Sequence, residues 1–122
     1  MNFKKPMIVQ SMYIFKNPKI GGEVTPHKDN SYLITKPLTC QGLWISLDEA
    51  SKENGCMWGV PGSHKQGVTS YMKRKRDETG KLVTYLEPSN EKVDYNTQGA
   101  VPLEVPPGSI VLLDGNFLHW SY

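Results

Sequence analysis

Short apolar runs alternate along the chain with turns that are rich in glycine and proline. Residues 7–15 (MIVQSMYIF) form one such run, which is closed by Asn17-Pro18 and by a pair of glycines. A short apolar run with β-branched and aromatic residues between turn signals predicts a largely buried strand. In residues 43–47 (LWISL), leucine and isoleucine alternate with Trp44 and Ser46, and this two-residue period predicts a second strand.

Three more strands are predicted after residue 54. Residues 55–60 (GCMWGV) end at Pro61-Gly62, and residues 109–113 (SIVLL) follow a Pro-Pro-Gly turn. Asp114-Gly115 is a strong hairpin signal, so we expect residues 117–122 to return as the paired strand. Several short strands with little helical periodicity predict an all-β fold, either a sandwich or a jelly roll.

Between residues 68 and 101 the strand pattern gives way to charged and polar residues. We predict a long insertion loop there within a single domain spanning 1–122, and such loops are typically functional lids or mobile segments. The basic run at residues 73–76 (KRKR) is also consistent with a nuclear-localisation signal or a nucleic-acid patch. Because Asp77 and Glu78 follow directly, we favour a solvated charge run.

Composition narrows the class of protein. A chain of 122 residues with 38% hydrophobic and 21% charged residues can bury one core, and a net charge of +2 is too small to indicate a nucleic-acid or membrane-surface partner. Cys40 and Cys56 lack a CxxC partner, which favours reduced thiols. Since neither a signal peptide nor an apolar run of about 20 residues is found, we expect a cytoplasmic protein without a membrane span.

The stretch TPHKD, residues 25–29, carries the main chemical signal. If it is extended, His27 and Asp29 lie two positions apart and project to the same face. A third ligand must come from His64, which lies in a turn, or from His119, which lies in the predicted final strand and is the better partner. Two imidazoles and one carboxylate form the facial triad of non-haem Fe(II) sites. The alternative is a polar turn with exposed side chains, because three-residue motifs recur by chance.

Three longer stretches carry a family resemblance. In order, these are GGEVTPHKD, WISLDEASKENGCMWGVPGSHKQG and VPPGSIVLLDGNFLHWS. Together they resemble the phytanoyl-CoA dioxygenase family of Fe(II)/2-oxoglutarate oxygenases over residues 6–122, except in the charged loop. The resemblance implies a double-stranded β-helix, which is a jelly roll of cupin type that is incomplete at its C-terminus.

The resemblance also implies roles for particular residues. It makes His27, Asp29 and His119 the catalytic iron ligands, and it leaves His64 as a loop residue. It implies that the backbone from His27 through Lys28 to Asp29 lines the 2-oxoglutarate site. Three side chains would line the same site, namely Met12, Trp44 and Ser121. Taken without the resemblance, Met12 and Trp44 are better explained as core packing residues. The implied reaction uses O2 and 2-oxoglutarate to hydroxylate a substrate.

One element of the family pattern has no counterpart. The family places an arginine on the strand after the distal histidine, where it pairs with the far carboxylate of 2-oxoglutarate, whereas Arg74 and Arg76 are the only arginines here. A family lysine that also binds 2-oxoglutarate would precede this chain. We therefore expect a central piece of a longer enzyme, with reduced activity by itself.

Two other functions remain open on the sequence. The chain could be a jelly-roll module that binds a metal or a ligand without turnover, or a hydrolase or isomerase that holds Zn²⁺ or Mn²⁺ at the same triad. Succinate formation from 2-oxoglutarate distinguishes the dioxygenase from both. The substrate is open between a small or acyl molecule and a protein side chain.

Overall fold

The structure is a computed structural model that describes residues 3–91, 93 and 95–122. Within these residues the chain forms eight β-strands and three 3-10 helices of one turn each. The strands are β1 Val24–His27, β2 Gln41–Ile45, β3 Met57–Gly59, β4 Ser70–Arg76, β5 Leu82–Pro88, β6 Val101–Leu103, β7 Ile110–Asp114 and β8 His119–Ser121. The 3-10 helices are Asp29–Ser31, Lys52–Asn54 and Ser63–Lys65. No helix in the described part is long and apolar enough to cross a membrane.

The strands pair in a nested order. Strand β4 pairs with β5, β3 with β6, β2 with β7 and β1 with β8, and every pairing is antiparallel. The chain is thus one long hairpin whose tip is β4–β5, and this hairpin is rolled up because β3 also pairs with β8. The described strands form one four-stranded sheet, in the order β1-β8-β3-β6, and two two-stranded sheets, β2-β7 and β4-β5. Such nested pairing is the topology of a jelly roll. The predicted all-β class is confirmed.

The predicted hairpin between residues 109–113 and 117–122 is wrong in its pairing. Strand β7 pairs with β2, whereas β8 pairs with β1 and β3 in the other sheet. Asp114 does form a tight turn, in which its side chain accepts the N–H of Asn116 and its carbonyl accepts the N–H of Phe117. This turn carries the chain from one sheet to the other, where β1 and β3 occupy both hydrogen-bonding edges of β8.

The segment predicted as an insertion loop contains regular structure. Strands β4 and β5 form a seven-pair ladder from Ser70↔Pro88 to Arg76↔Leu82. Asp77 closes the turn by accepting the N–H groups of Thr79 and Lys81. The structure differs from the prediction because this hairpin is half-exposed, and its solvated charges conceal the two-residue period.

The strand predicted at residues 7–15 is wrong. These residues have no regular structure, and most of their apolar side chains are exposed; Met7 is 82% and Ile8 is 93% accessible. An apolar run becomes a buried strand only where another strand accepts its backbone hydrogen bonds. Among the described residues, no strand lies beside this segment.

The core is built from side chains on and beside β3, β7 and β8, with one from the segment before β4. The buried apolar side chains are Cys56, Met57, Val68, Leu113, Leu118 and Trp120. On β2 the alternation places Gly42 and Trp44 towards the interior, while Leu43 and Ile45 face outwards and are more than half exposed. The inward face of β2 therefore looks towards the centre of the roll.

Candidate metal centre

The structure brings together the side chains of His27, Asp29 and His119. One potential ligand atom from each residue lies within 4.8 Å of the other two. The carboxylate oxygen Oδ1 of Asp29 is 3.6 Å from His27 Nε2 and 3.9 Å from His119 Nε2. The two imidazole centroids are 4.4 Å apart. Three side chains that are distant in sequence thus converge on one point.

Strand pairing accounts for the convergence. His27 ends β1, His119 begins β8, and the two residues are direct partners across the antiparallel ladder. Directly opposed side chains on paired strands lie on the same face about 5 Å apart. Lys28 keeps an extended backbone and Asp29 begins the 3-10 helix Asp29–Ser31, so Asp29 returns to the face of His27. The N–H of Asn30 donates to the carbonyl of Gly115 (2.8 Å) and ties this helix to the β7–β8 turn.

Backbone carbonyls orient both imidazoles. His27 Nδ1 lies 2.8 Å from the carbonyl oxygen of Thr25, and His119 Nδ1 lies 2.9 Å from the carbonyl oxygen of Phe117. Because a carbonyl only accepts hydrogen bonds, each Nδ1 must carry the proton and donate it. In the neutral ring, Nε2 is then left with a free lone pair that points towards the other two side chains. This is the tautomer found in histidines that bind metals.

The three side chains of the site differ in their exposure to solvent. The side chains of His27 and Asp29 are 21% and 24% accessible, whereas that of His119 is 8% accessible. Burial lowers the pKa of His119 below the usual histidine value, and the neighbouring His27 also lowers it. The hydrogen bond to the Phe117 carbonyl and the charge of Asp29 act in the opposite direction. The net effect favours the neutral ring, which is the form that binds a metal.

Lys28 lies between His27 and Asp29 in the sequence, but its side chain points away from them. Its side chain is fully buried, and its ammonium donates to the carbonyls of Ser63, Gln66 and Gly67. Burial lowers the pKa of Lys28, and the carboxylates of Glu91 and Asp114 partly oppose this shift. Only the backbone of Lys28 is therefore free for the predicted contact with 2-oxoglutarate.

The other predicted site residues fall into two groups. Trp44 lies on the inward face of β2, and Ser121 lies two positions after His119 on β8, hence on the same face of that strand. Met12 is 70% exposed in the irregular N-terminal segment, outside the sheets. His64 is exposed in the 3-10 helix Ser63–Lys65 and is not part of the cluster.

Two further residues lie close to the site, although no motif in the sequence predicted this. A Cβ atom added to Gly42 would lie 3.5 Å from the carboxylate oxygen Oδ2 of Asp29, so β2 reaches the cluster from the opposite sheet. The ring of Phe117 is parallel to that of His119, with centroids 6.2 Å apart. Phe117 also borders a cavity of about 380 Å³ whose apolar wall includes Val111 and Leu113. A bound organic molecule in this cavity would lie next to Phe117.

The donor set fits a divalent transition metal. Two imidazole nitrogens and one carboxylate on one side of a point are the ligands of non-haem Fe(II), and they leave the remaining coordination positions open. Both imidazoles have their second nitrogen hydrogen-bonded, as metal-binding histidines nearly always do. The residues present therefore fit the Fe(II) that the sequence predicts.

Comparison with known proteins identifies relatives over the whole chain. Residues 2–122 match the family described as Phytanoyl-CoA dioxygenase (PhyH). Phytanoyl-CoA dioxygenase 1 of Oryza sativa subsp. japonica is 45% identical over 122 residues, which cover 100% of this chain and 41% of the relative. Phytanoyl-CoA dioxygenase domain-containing protein 1 of Danio rerio is 47% identical over 117 residues, covering 95% of this chain and 39% of the relative. The chain spans about two-fifths of the length of these relatives.

A solved structure shares the fold. The crystal structure of EvdO2 from Micromonospora carbonacea var. aurantiaca complexed with 2-oxoglutarate is similar, with a TM-score of 0.58 and 25% sequence identity. The similar region covers 87% of this chain and 41% of that one. Together with the nested strand pairing, this likeness confirms the predicted jelly-roll class.

Proposed function

Because this chain belongs to the phytanoyl-CoA dioxygenase (PhyH) family, we propose that it carries the metal centre of an Fe(II)- and 2-oxoglutarate-dependent dioxygenase. The proposed ligands are His27, Asp29 and His119. The match over residues 2–122 confirms the family resemblance found in the sequence. The observation that carries the proposal is the approach of three suitable ligand atoms to within 4.8 Å of one another.

The chain's own residues supply orientation and a protected surface. Bound Fe(II) would supply the oxidation of a substrate C–H bond, coupled to conversion of 2-oxoglutarate and O2 into succinate and CO2. The carbonyls of Thr25 and Phe117 hold the two Nε2 atoms towards the metal position. The burial of His119 keeps water from the inner side of the site, while the partly exposed His27 and Asp29 leave an approach for ligands.

We assign the 2-oxoglutarate contacts to the wall around the triad. Trp44 faces inwards from β2, and Ser121 shares a face with His119. The backbone at Lys28 lies between His27 at the end of β1 and Asp29 at the start of the next 3-10 helix. Met12 is the weakest member of this set, because it lies in the exposed N-terminal segment. The relative from Micromonospora carbonacea was crystallised with 2-oxoglutarate, which supports this cosubstrate for the present fold. The substrate would enter from the cavity beside Phe117.

Metal titration tests the ligand set. Anaerobic titration of the full chain with Fe(II), measured by isothermal titration calorimetry, should show one binding site. His27→Ala or His119→Ala should weaken the Fe(II) affinity of this site by about tenfold or more. The matched control is His64→Ala, which removes an exposed histidine outside the cluster and should bind like the wild type. Equal affinity of all four proteins would refute the site. Added 2-oxoglutarate should tighten Fe(II) binding in the wild type and in His64→Ala only.

A second function, a metal-binding module without turnover, is favoured by one observation. Both arginines lie on β4, and Arg76 donates to the carbonyl of Gly80 in the hairpin turn. Neither is therefore placed as the usual bidentate partner for the far carboxylate of 2-oxoglutarate. Succinate formation distinguishes the two functions. The dioxygenase forms succinate in proportion to the 2-oxoglutarate consumed, whereas a binding module holds the metal and forms none.

A further inference from the structure

The turn at residues 60–67 (VPGSHKQG) contacts both segments that carry the proposed ligands. It contains the 3-10 helix Ser63–Lys65 and lies between β3 and β4. One set of its hydrogen bonds goes to Lys28, between His27 and Asp29. Another set goes to Leu118, directly before His119. This bracketing turn therefore links parts of the site that are far apart in sequence.

Lys28 connects the bracketing turn to the first two ligand candidates. Its ammonium donates to the carbonyls of Ser63 at 2.9 Å, Gln66 at 3.1 Å and Gly67 at 2.8 Å. An ammonium has three N–H donors, and all three are used. A buried charge is tolerated only where such bonds replace water, so these three contacts fix the position of the side chain. Because alternate residues of an extended chain face opposite ways, fixing Lys28 inwards fixes His27 and Asp29 on the other side.

Ser63 connects the same turn to the third ligand candidate. Its buried hydroxyl accepts the N–H of Leu118 at 2.8 Å. The carbonyl of Leu118 accepts the N–H of Val60 at 3.1 Å. Both backbone groups of Leu118 are thus bound by the bracketing turn. Leu118 itself is 1% exposed, so the backbone leading into His119 is held by hydrogen bonds and by packing.

The side chains of the three ligand candidates form no hydrogen bonds with one another. Asp29 Oδ1 is 3.6 Å and 3.9 Å from the two Nε2 atoms, which is beyond hydrogen-bonding distance. Their spacing must therefore be set by groups behind them. The ladder between β1 and β8 supplies part of this support, but its register shifts between Val24 and His27. The bracketing turn supplies a second, independent connection.

We propose that Lys28 and Ser63 are positioning residues that set the distance of His27 and Asp29 from His119 through the bracketing turn. This inference rests on the proposed metal site. Neither residue would touch the metal. Loss of either connection should widen the spread of ligand positions and weaken metal binding by about 10- to 100-fold, the usual effect of removing a group behind a metal ligand.

Cobalt(II) provides the test because its visible spectrum reports coordination geometry as well as binding. The full chain is titrated with Co(II) as wild type, Lys28→Met and Ser63→Ala. The matched control is Lys65→Met, which makes the same exchange at an exposed lysine of the same turn. Unfolding of each metal-free protein in urea is measured in parallel. We expect weaker Co(II) binding and an altered spectrum for Lys28→Met and Ser63→Ala, with Lys65→Met matching the wild type.

The outcomes separate positioning from stability. A loss of metal-free stability with unchanged Co(II) affinity and spectrum would overturn the inference, since a merely structural role predicts that result. If Lys28→Met does not fold, Ser63→Ala decides, because it removes a single hydroxyl. An absence of Co(II) binding by the wild type would refute the proposed metal site itself, whereas wild-type binding that both variants retain would refute the positioning role alone.

Discussion

Replacing Gly59 by alanine should displace the ring of Phe117, which lies beside His119. Gly59 lies in β3 and is the register partner of His119 in β8. A Cβ atom added there would lie 2.2 Å from Cζ and 2.4 Å from Cε1 of Phe117. Since ordinary contact begins near 3.4 Å, the ring of Phe117 must move by more than about 1 Å. That ring is parallel to His119, so the methyl group acts on the histidine through the phenylalanine.

The expected cost follows from two opposing effects. Adding a methyl group to a filled site costs about 1–3 kcal/mol. The alanine also restricts the unfolded chain, which favours folding by about 0.4–1 kcal/mol. Because Phe117 is only partly buried and its ring can rotate, we expect Gly59→Ala to lower the free energy of unfolding by roughly 1–2 kcal/mol. The midpoint of thermal unfolding should fall by several degrees.

A double-mutant cycle assigns the cost to the contact. The free energy of unfolding is measured by urea denaturation for Gly59→Ala, Phe117→Ala and the double variant. In the Phe117→Ala background the added methyl group has no ring to displace, so the coupling energy should be about 1 kcal/mol or more. Gly22→Ala is the matched control, because a Cβ atom there meets nothing within 4 Å. The reasoning is refuted if Gly59→Ala is as stable as Gly22→Ala, or if removing the ring leaves the cost unchanged.

Two further predictions concern the core and the hairpin. Leu118→Ala should lower the free energy of unfolding by about 2–5 kcal/mol in urea denaturation, because this leucine is 1% exposed and its loss leaves a cavity; a cost under 1 kcal/mol would contradict that packing. Hydrogen bonds from Thr79, the side-chain bond first, lower the pKa of Asp77 below the usual aspartate value. The hairpin support from the ionised carboxylate is therefore complete above the unfolded pKa near 3.8 and is lost as the pH falls through the folded value. A carboxyl ¹³C titration should show this lowered pKa and its return towards normal in Thr79→Ala, and an unchanged pKa in that variant would contradict the assignment.

The sequence allowed the class of fold and the identity of the candidate ligands to be predicted. The runs at residues 43–47, 55–60 and 109–113 each overlap a strand of the structure, because short β-branched segments between glycine and proline turns have few other conformations. The spacing of His27 and Asp29 indicated a shared face. In the structure the two side chains lie on the same side of the chain, with Asp29 Oδ1 3.6 Å from His27 Nε2. Assignment of His119 needed both strand alternation and the resemblance to a family, since local pattern alone left His64 open.

Predictions from the sequence pattern failed mainly where the formation or pairing of a strand depends on which other strand lies beside it. Residues 7–15 have the composition of a buried strand, yet an isolated run cannot form its own ladder. Residues 109–113 and 117–122 have the pattern of a hairpin, yet each pairs with a strand more than 50 residues earlier along the chain. Charges on the exposed faces of β4 and β5 also concealed the tip of the long hairpin. The first two errors concern pairing, which is set by long-range contacts rather than by local preference.

The residue types of the site were fixed by the sequence, while their geometry was decided by the tertiary structure. The sequence supplies two histidines, one aspartate and the turn residues around them. Nested pairing of β1 with β8 makes His27 and His119 neighbours, and the carbonyls behind the rings select the tautomer. The position of Lys28 shows the difference most clearly. The family resemblance implied only a backbone contact for Lys28 and gave no place for its side chain. The three carbonyls that accept hydrogen bonds from its ammonium come together only when the chain has folded.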